Sequence, residues 1–238
     1  MKTFARFTLL ALILSSSAGA LDYRFFLDGV HTDLSTVEEG GKVFVEANRF
    51  GKYLGPILDR VIDVNALVGS VTSKVDLGPL NGLFGGLLNR AASDVKYEVI
   101  RRAEEPYVDV QAFARGQGAQ LVFHPFDKTF VIARDAAGLQ RGEEARFVAL
   151  GEVTVKLEEA RLQNGRLALR FTTRGEREED VRAWSFVGNG KVLSSEVTLV
   201  QAGRVDVTLS LADGAIPEEL GVHGANGERV AYSLSSLR

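Results

Sequence analysis

The stretch 106–132 constrains the fold most, because its pattern changes from strand to helix to hairpin over a short distance. Tyr107–Val110 has the texture of a strand, and Gln111–Gln117 spaces its apolar residues for a short helix. Leu121–Phe123 and Thr129–Ile132 then predict two strands of a hairpin. The stretch therefore predicts a small β-α-β unit, and it carries no recognisable catalytic motif.

A degenerate copy of this unit lies 63 residues earlier in the chain. Phe44–Phe50 aligns without gaps on Tyr107–Phe113, and Gly55 then falls on Gly118. Each glycine follows a predicted short helix, where glycine most readily ends a helix. The alternative is that the two segments are unrelated strand–helix junctions with a similar sequence pattern. The shared aromatic, acidic, phenylalanine and glycine positions favour a true repeat.

These residues resemble the copper amine oxidase-like N-terminal domain, also called the stalk domain. The resemblance rests on the strand Tyr107–Val110, the helix Gln111–Ala119 and the hairpin strands that end at Asp127 and Ile132. It covers residues 22–134 at most, and 95–134 closely. It implies an α+β fold, tandem copies and a place in secreted or envelope proteins of bacteria. It implies neither a reaction nor a cofactor, because the copper and quinone chemistry of those enzymes belongs to a separate catalytic domain.

The pattern of apolar and polar residues changes after residue 145. Residues 135–145 predict a polar linker, and 146–238 predict about seven short strands separated by turns, with Asn164–Gly165 as the strongest hairpin signal. We predict an α+β N-terminal domain of strand–helix–hairpin repeats over 21–134. An all-β antiparallel sandwich of immunoglobulin-like type follows over 146–238, with Trp184 on a central strand as its core anchor.

The first twenty residues predict a secretory signal peptide. Lys2 and Arg6 precede the apolar run Phe7–Leu14, and Ala18–Ala20 offers small residues at the exit. The alternative is a buried N-terminal helix. The run is shorter than the roughly 20 residues that span a bilayer, and we predict no transmembrane segment after the signal is removed. The expected location is the periplasm, the cell surface or the medium.

Composition limits the partners. The chain has no cysteine, so an exported domain made from it must rely on core burial instead of disulfide bonds. Its formal net charge is −3, and loss of Lys2 and Arg6 makes the mature chain more acidic. An acidic chain argues against non-specific nucleic-acid binding, which needs a basic face. The predicted partner is another envelope or extracellular protein or polymer.

Between the two copies lies an apolar, glycine-rich insert over 56–93. It predicts either helical pieces packed on the domain or an exposed surface that binds a partner. Glycines at 82, 85 and 86 make its apolar side chains hard to bury completely. The candidate partner-binding residues are therefore Leu80, Leu83, Phe84, Leu87 and Leu88.

No pattern of catalytic or metal-ligating residues is recognisable. His31, His124 and His223 are far apart in the sequence, and without cysteine a zinc or copper site would need all three to converge. The acidic run 176–180 is dense enough for a calcium site to be conceivable, but arginine interrupts it. We predict no catalytic residue, no metal and no cofactor.

The favoured function is a non-enzymatic secreted or envelope module that scaffolds or binds another exported macromolecule. The alternative is a secreted hydrolase, or a protein that binds a small ligand or glycan, with an acid pair in the cleft between domains. A cleft with two carboxylates and apolar walls would favour the alternative, whereas a filled interface would argue against it.

Overall fold

The computed structural model describes residues 22–67, 97–102, 104–175, 178–201, 203–211 and 214–238. Within these residues the chain is mostly β-structure and forms three sheets. Among the described strand pairs all are antiparallel except one. Two four-stranded sheets lie in the N-terminal part, and one eight-stranded sheet forms the C-terminal part.

The N-terminal part alternates strands and short helices. Its elements are β1 (Arg24–Leu27), β2 (Val30–Thr32), β3 (Thr36–Glu39), β4 (Lys42–Glu46), α1 (Ala47–Ile57), β5 (Val99–Arg102), β6 (Glu105–Asp109), α2 (Val110–Gly116), β7 (Gln120–His124), β8 (Thr129–Ala133) and α3 (Ala136–Ala145).

The first sheet has the order β2-β1-β8-β7. Its outer pairs are hairpins, whereas β1 and β8 run parallel, with Phe25 opposite Phe130. The β1–β2 hairpin closes at Asp28 and Gly29, whose φ angles are 53° and 89°. Two positive φ values in a two-residue turn are what an Asp-Gly pair favours.

The second sheet has the order β3-β4-β6-β5 and contains both predicted copies. The strands and helix that begin at Thr36, Lys42 and Ala47 recur at the same offset as β5, β6 and α2. In the register of β4 with β6, Val45 lies opposite its equivalent Val108. The two copies are thus related by an approximate local two-fold axis between these strands.

One hydrophobic core joins the two sheets and the helices α1 and α2. Phe50 of α1 and Phe113 of α2, which are equivalent in the repeat, have ring centroids 5.6 Å apart. The core also takes side chains from both sheets, among them Phe25, Leu27, Val45, Val108, Phe130 and Ile132. The helices therefore bury their apolar face against β-structure, as their spacing in the sequence requires.

Most of the segment 135–145, which the sequence predicts as a polar linker, is helical, since Ala136–Ala145 form helix α3. Asp135 caps the helix by accepting a hydrogen bond from the N–H of Gly138 at 2.9 Å. Gly138 and Gly142 are buried where the helix lies on the first sheet, and a Cβ at Gly142 would overlap the side chain of Val131. Gly138 and Gly142 thus allow the helix to approach the sheet closely.

The C-terminal part is an antiparallel near-barrel. Its elements are β9 (Val148–Leu150), β10 (Val153–Gln163), β11 (Arg166–Arg174), α4 (Glu178–Arg182), β12 (Ser185–Gly188), β13 (Lys191–Gln201), β14 (Arg204–Ser210), β15 (Glu219–His223), β16 (Arg229–Ser233) and a final 3-10 turn (Ser235–Leu237).

The described strands of this part are all antiparallel, as predicted, but they form one sheet instead of the two separate sheets of a sandwich. The strands follow one order, β16-β15-β12-β13-β14-β11-β10-β9, and the terminal strands β9 and β16 contact each other. The eleven-residue β13 makes this possible, since it pairs with β12 at one end and with β14 along the rest. Register shifts at Leu157/Glu159 and Val197/Leu199 mark bulges, which bend strands.

Trp184 is buried as expected, although it does not lie on a strand. It falls between α4 and β12 and packs edge-on against Phe171, with ring centroids 5.7 Å apart. The strand that the sequence predicts at Trp184 begins only at Ser185, because Val181 and Arg182 belong to the short helix α4. The Asn164–Gly165 hairpin is confirmed, with φ values of 52° and 73°.

Candidate functional site

An open cavity of about 600 Å³ lies between strand β2 and helix α1. We call it the edge groove. Its floor is Leu27, Val30 and Thr32 of the β1–β2 hairpin. Helix α1 and the rim supply the other lining residues: Asp28, His31, Asp33, Arg49, Lys52, Tyr53, Pro56 and Ile57.

The floor of the groove follows from the register of the hairpin. Val30 lies opposite Leu27, and Thr32 lies opposite Phe25. Residues directly opposite each other point to the same face of a sheet. Phe25 and Leu27 belong to the core under α1, whereas Val30 is 67% exposed. The apolar face of the sheet therefore continues past the area that α1 covers, up to the edge strand.

The wall that α1 presents to the groove is basic and aromatic. Arg49, Lys52 and Tyr53 follow one another at helical spacing, and Tyr53 is 39% exposed. In the part of the chain that the structure describes, neither Arg49 nor Lys52 forms an ion pair. The groove therefore offers two uncompensated positive charges beside apolar surface.

The two acidic residues of the rim, Asp28 and Asp33, form no ion pair with Arg49 or Lys52. The carboxylate of Asp28 accepts a hydrogen bond from Arg141 of α3 at 2.8 Å. Asp33 is highly exposed and lies 3.8 Å from the imidazole of His31. His31 itself packs its ring against Phe26, with centroids 5.5 Å apart. The rim is thus polar, and the positive charge remains on the helix side.

A second polar site, the junction cluster, joins the N-terminal part to the near-barrel. It consists of Arg24, His124, Asp127, Glu143 and Arg146. The side chain of Arg146 is only 1% exposed and donates to Asp127 Oδ2 at 3.0 Å and to Glu143 Oε2 at 2.7 Å. Arg24 lies 3.4 Å from the same oxygen of Asp127. Buried charges require partners of this kind.

Backbone and apolar contacts complete the junction. The N–H of Ser233 on β16 donates to the carbonyl of Phe126 at 2.6 Å. The side chain of Phe126, in the β7–β8 turn, packs against the core of the near-barrel. Burial, with the carboxylate of Asp127 as a further cause, raises the pKa of Tyr232 on β16. The junction is therefore filled with side chains at this point.

The electrostatics of the cluster favour ionised Glu143. Burial by itself would raise the pKa of Glu143, but hydrogen bonds from His124 and Arg146 outweigh it and lower the pKa to about 2. Lys156 of β10 lies 3.7 Å from the same carboxylate. A carboxylate so held is a poor proton donor near neutral pH. Asp127 and Glu143 thus act as counter-ions of Arg146.

Other acidic pairs on the near-barrel are also engaged by cations. Glu158 lies 2.7 Å from Lys156, and Glu159 lies 2.7 Å from Arg170. Hydrogen bonding from Arg204, and then from Arg170, lowers the pKa of Asp206. These carboxylates line a salt-bridged sheet surface.

The candidate residues from the insert, Leu80, Leu83, Phe84, Leu87 and Leu88, lie outside the described residues. Of the acidic run 176–180, residues 176 and 177 also lie outside them, and Glu178 begins α4. No group of three or more possible metal ligands occurs among the residues that the structure describes. The histidines are separate: His31 lies at the groove, His124 in the junction cluster and His223 on β15.

Sequence reasoning missed Arg49, Lys52 and Tyr53. The sequence did predict the helix that carries them, over Asn48–Leu54. Two cations three residues apart on an amphipathic helix usually belong to a solvated face. Only the position of β2 beside α1 distinguishes this pair from other surface cations.

Comparisons of the chain with protein-family models, with curated proteins and with solved structures found no match. Among the described helices, none has the length and apolar character needed to cross a membrane.

Proposed function

We propose that this protein is an exported, non-enzymatic module of the cell envelope or the extracellular space that binds another exported protein. The edge groove carries this proposal. It is an open concavity with apolar surface and two cations that lack a partner among the described residues. Exposed apolar surface rimmed by polar residues is typical of a binding site, and charge complementarity can then select the partner.

The proposed export rests on residues 1–20, which have the organisation of a signal peptide. The proposed relation of residues 22–134 to stalk domains is supported by the two strand–helix units that recur at one offset in the N-terminal part. Such domains are accessory parts of exported proteins, so both proposals point to the same class of function.

The hydrolase alternative has less support. It needs two accessible carboxylates in a cleft between the N-terminal part and the near-barrel. At the junction cluster Asp127 is almost fully buried, and both Asp127 and Glu143 are bound by Arg146. Separating Arg146 from these acids would leave buried Asp127 with only the more distant Arg24 as a cation, which is costly.

The test is an affinity capture of tagged residues 21–238 from the protein's own envelope and culture fractions. The charge reversal Arg49→Glu/Lys52→Glu is compared with the insert variant Leu83→Ser/Phe84→Ser/Leu87→Ser. We expect a partner that the wild-type protein captures and that the groove variant loses. Loss with the insert variant alone would move the interface to the insert, as first predicted from the sequence. Hydrolysis of a substrate by the wild-type protein, with no captured partner, would contradict the proposal.

A further inference from the structure

We propose that the ligand of the edge groove is an extended peptide segment that adds as a strand to the free edge of β2 and places acidic side chains against Arg49 and Lys52. This assignment rests on the binding function proposed above and specifies the chemistry of the partner. Three features of the described residues support it: the edge position of β2, the geometry of its hairpin and the charge of α1.

Strand β2 lies at the end of the order β2-β1-β8-β7 and pairs only with β1 among the described strands. Edge strands present backbone N–H and C=O groups that can pair with another chain. Many β-sheet proteins cover or charge such an edge, whereas Val30 and His31 of β2 are exposed. The edge is therefore accessible for strand addition.

The hairpin fixes which backbone groups face outward. Leu27 and Val30 flank the two-residue turn, and the carbonyl before such a turn accepts from the N–H after it. Hydrogen-bonded and non-hydrogen-bonded pairs alternate along an antiparallel pair. His31, opposite Phe26, therefore falls at a non-hydrogen-bonded position, and its N–H and C=O point away from β1. These two groups are the docking point for an added strand.

An added strand would lie about 4.8 Å beyond β2 and continue the sheet under the exposed side of α1. Its alternate side chains would enter the groove between the floor at Val30 and the wall at Tyr53. A cavity of about 600 Å³ holds a few side chains and is too open to enclose a small molecule. An extended chain uses this shape better than a compact ligand does.

Charge complementarity selects the side chains of the peptide. Arg49 and Lys52 have no ion-pair partner among the described residues, and the carboxylate of Asp28 is bound by Arg141. An acidic side chain from the peptide can bind Arg49 through two parallel hydrogen bonds. Apolar side chains beside it would cover Tyr53 and Val30. Because only every second side chain of a strand faces the groove, the preferred segment has apolar and acidic residues in turn at these groove-facing positions.

The first experiment measures binding of fluorescent synthetic peptides to the mature protein by fluorescence anisotropy. The probe has about eight residues, a length that spans one strand, with valine and glutamate in turn at every second position and serine at the positions between them. The comparison peptides replace glutamate by lysine, or carry N-methyl groups on the backbone edge that would face β2. We expect the lysine and N-methylated peptides to bind at least about tenfold more weakly. Equal binding of all three would overturn the proposal.

Two pairs of variants locate the interaction. The charge reversal Arg49→Glu/Lys52→Glu should weaken binding of the glutamate peptide at least about tenfold. The matched reversal Arg115→Glu/Lys191→Glu, on exposed residues elsewhere, should leave this binding unchanged. His31→Pro removes the outward N–H at an edge position that tolerates proline, whereas His31→Ala keeps it. We expect loss with proline and retention with alanine. Retention by both His31 variants would overturn strand addition, with Trp184 fluorescence verifying the fold of each protein.

Other outcomes separate this assignment from the general function. If none of the three peptides binds, but capture of the partner still depends on Arg49 and Lys52, strand addition is wrong and the binding function stands. If capture also fails, both proposals are wrong. A concentration-dependent dimer in sedimentation velocity that His31→Pro abolishes would identify a second copy of this chain as the occupant, and it would likewise overturn the assignment.

Discussion

The carboxylate of Glu143 lies among three basic side chains, those of His124, Arg146 and Lys156. Burial opposes ionisation of Glu143, yet the hydrogen bonds from His124 and Arg146 lower its pKa from 4.5 to about 2. A carboxyl group whose pKa is lower in the folded than in the unfolded state stabilises the folded protein at every pH at which the group is ionised. This stabilisation is complete above the unfolded pKa of 4.5 and is lost as the pH falls towards 2.

We therefore expect Glu143→Gln to make stability less dependent on pH in the acid range. The difference in unfolding free energy between the wild-type protein and this variant should be largest above about pH 5 and should shrink towards about pH 2. Urea titrations at a series of pH values measure it. Glu144→Gln, which removes the adjacent exposed carboxylate, is the charge-matched control. A difference that stays constant with pH would show that His124 and Arg146 do not lower the pKa of Glu143 in the folded protein.

Helix α3 shows how an element depends on close packing more than on propensity. Gly138 and Gly142 lower the intrinsic helix preference of 136–145, because glycine costs about 1 kcal/mol relative to alanine in an exposed helix. Both glycines are buried against the first sheet, and a Cβ on Gly138 would lie 2.7 Å from the Cβ of Ala133. Close approach of the helix to the sheet, together with the Asp135 cap, offsets the low propensity.

The substitution Gly142→Ala should consequently destabilise the protein by about 1–3 kcal/mol, although alanine is the better helix former. The added methyl group would overlap the buried side chain of Val131. Val131→Ala makes room for it, so the double variant should be more stable than the sum of the two single effects predicts. Thermal and urea unfolding of the four proteins measure this coupling. A stabilising Gly142→Ala would mean that α3 does not pack as closely as the structure has it.

At the scale of the whole molecule, the junction cluster links the N-terminal part to the near-barrel. Asp127 lies in the β7–β8 turn, Glu143 on α3 and Arg146 just before β9. The sequence predicts a polar linker over 135–145, which includes Glu143. Instead, a buried ion-pair network and the Phe126–Ser233 hydrogen bond connect the two parts. We expect them to unfold as one cooperative unit.

Replacing the buried arginine tests this cooperativity. Arg146→Met leaves buried Asp127 with only the more distant Arg24 as a cation and should cost about 3 kcal/mol, whereas Arg161→Met at an exposed ion pair should cost less than about 1 kcal/mol. Hydrogen exchange should give β8 and β11 similar opening free energies in the wild-type protein and different ones in Arg146→Met. Different opening free energies already in the wild-type protein would contradict a single unit.

The sequence by itself determined the features that depend on neighbouring residues. The Asp28–Gly29 and Asn164–Gly165 turns need positive φ, which these residue pairs adopt at low cost. Asp109 caps α2 by accepting from two backbone N–H groups, and Gly118, at φ 78°, follows the end of that helix. The repeat is also visible in the sequence, because its phenylalanine and valine recur at one offset. The structure buries these residues of both copies in the same way.

Only the tertiary structure decided how these elements meet. The parallel pairing of β1 with β8 joins residues about a hundred positions apart, and it is this pairing that leaves β2 at an edge beside α1. Arg49 and Arg146 are both single arginines in polar surroundings in the sequence, yet one lines an open groove and the other is buried between carboxylates. Burial and charge pairing are set by long-range packing, which local patterns do not encode.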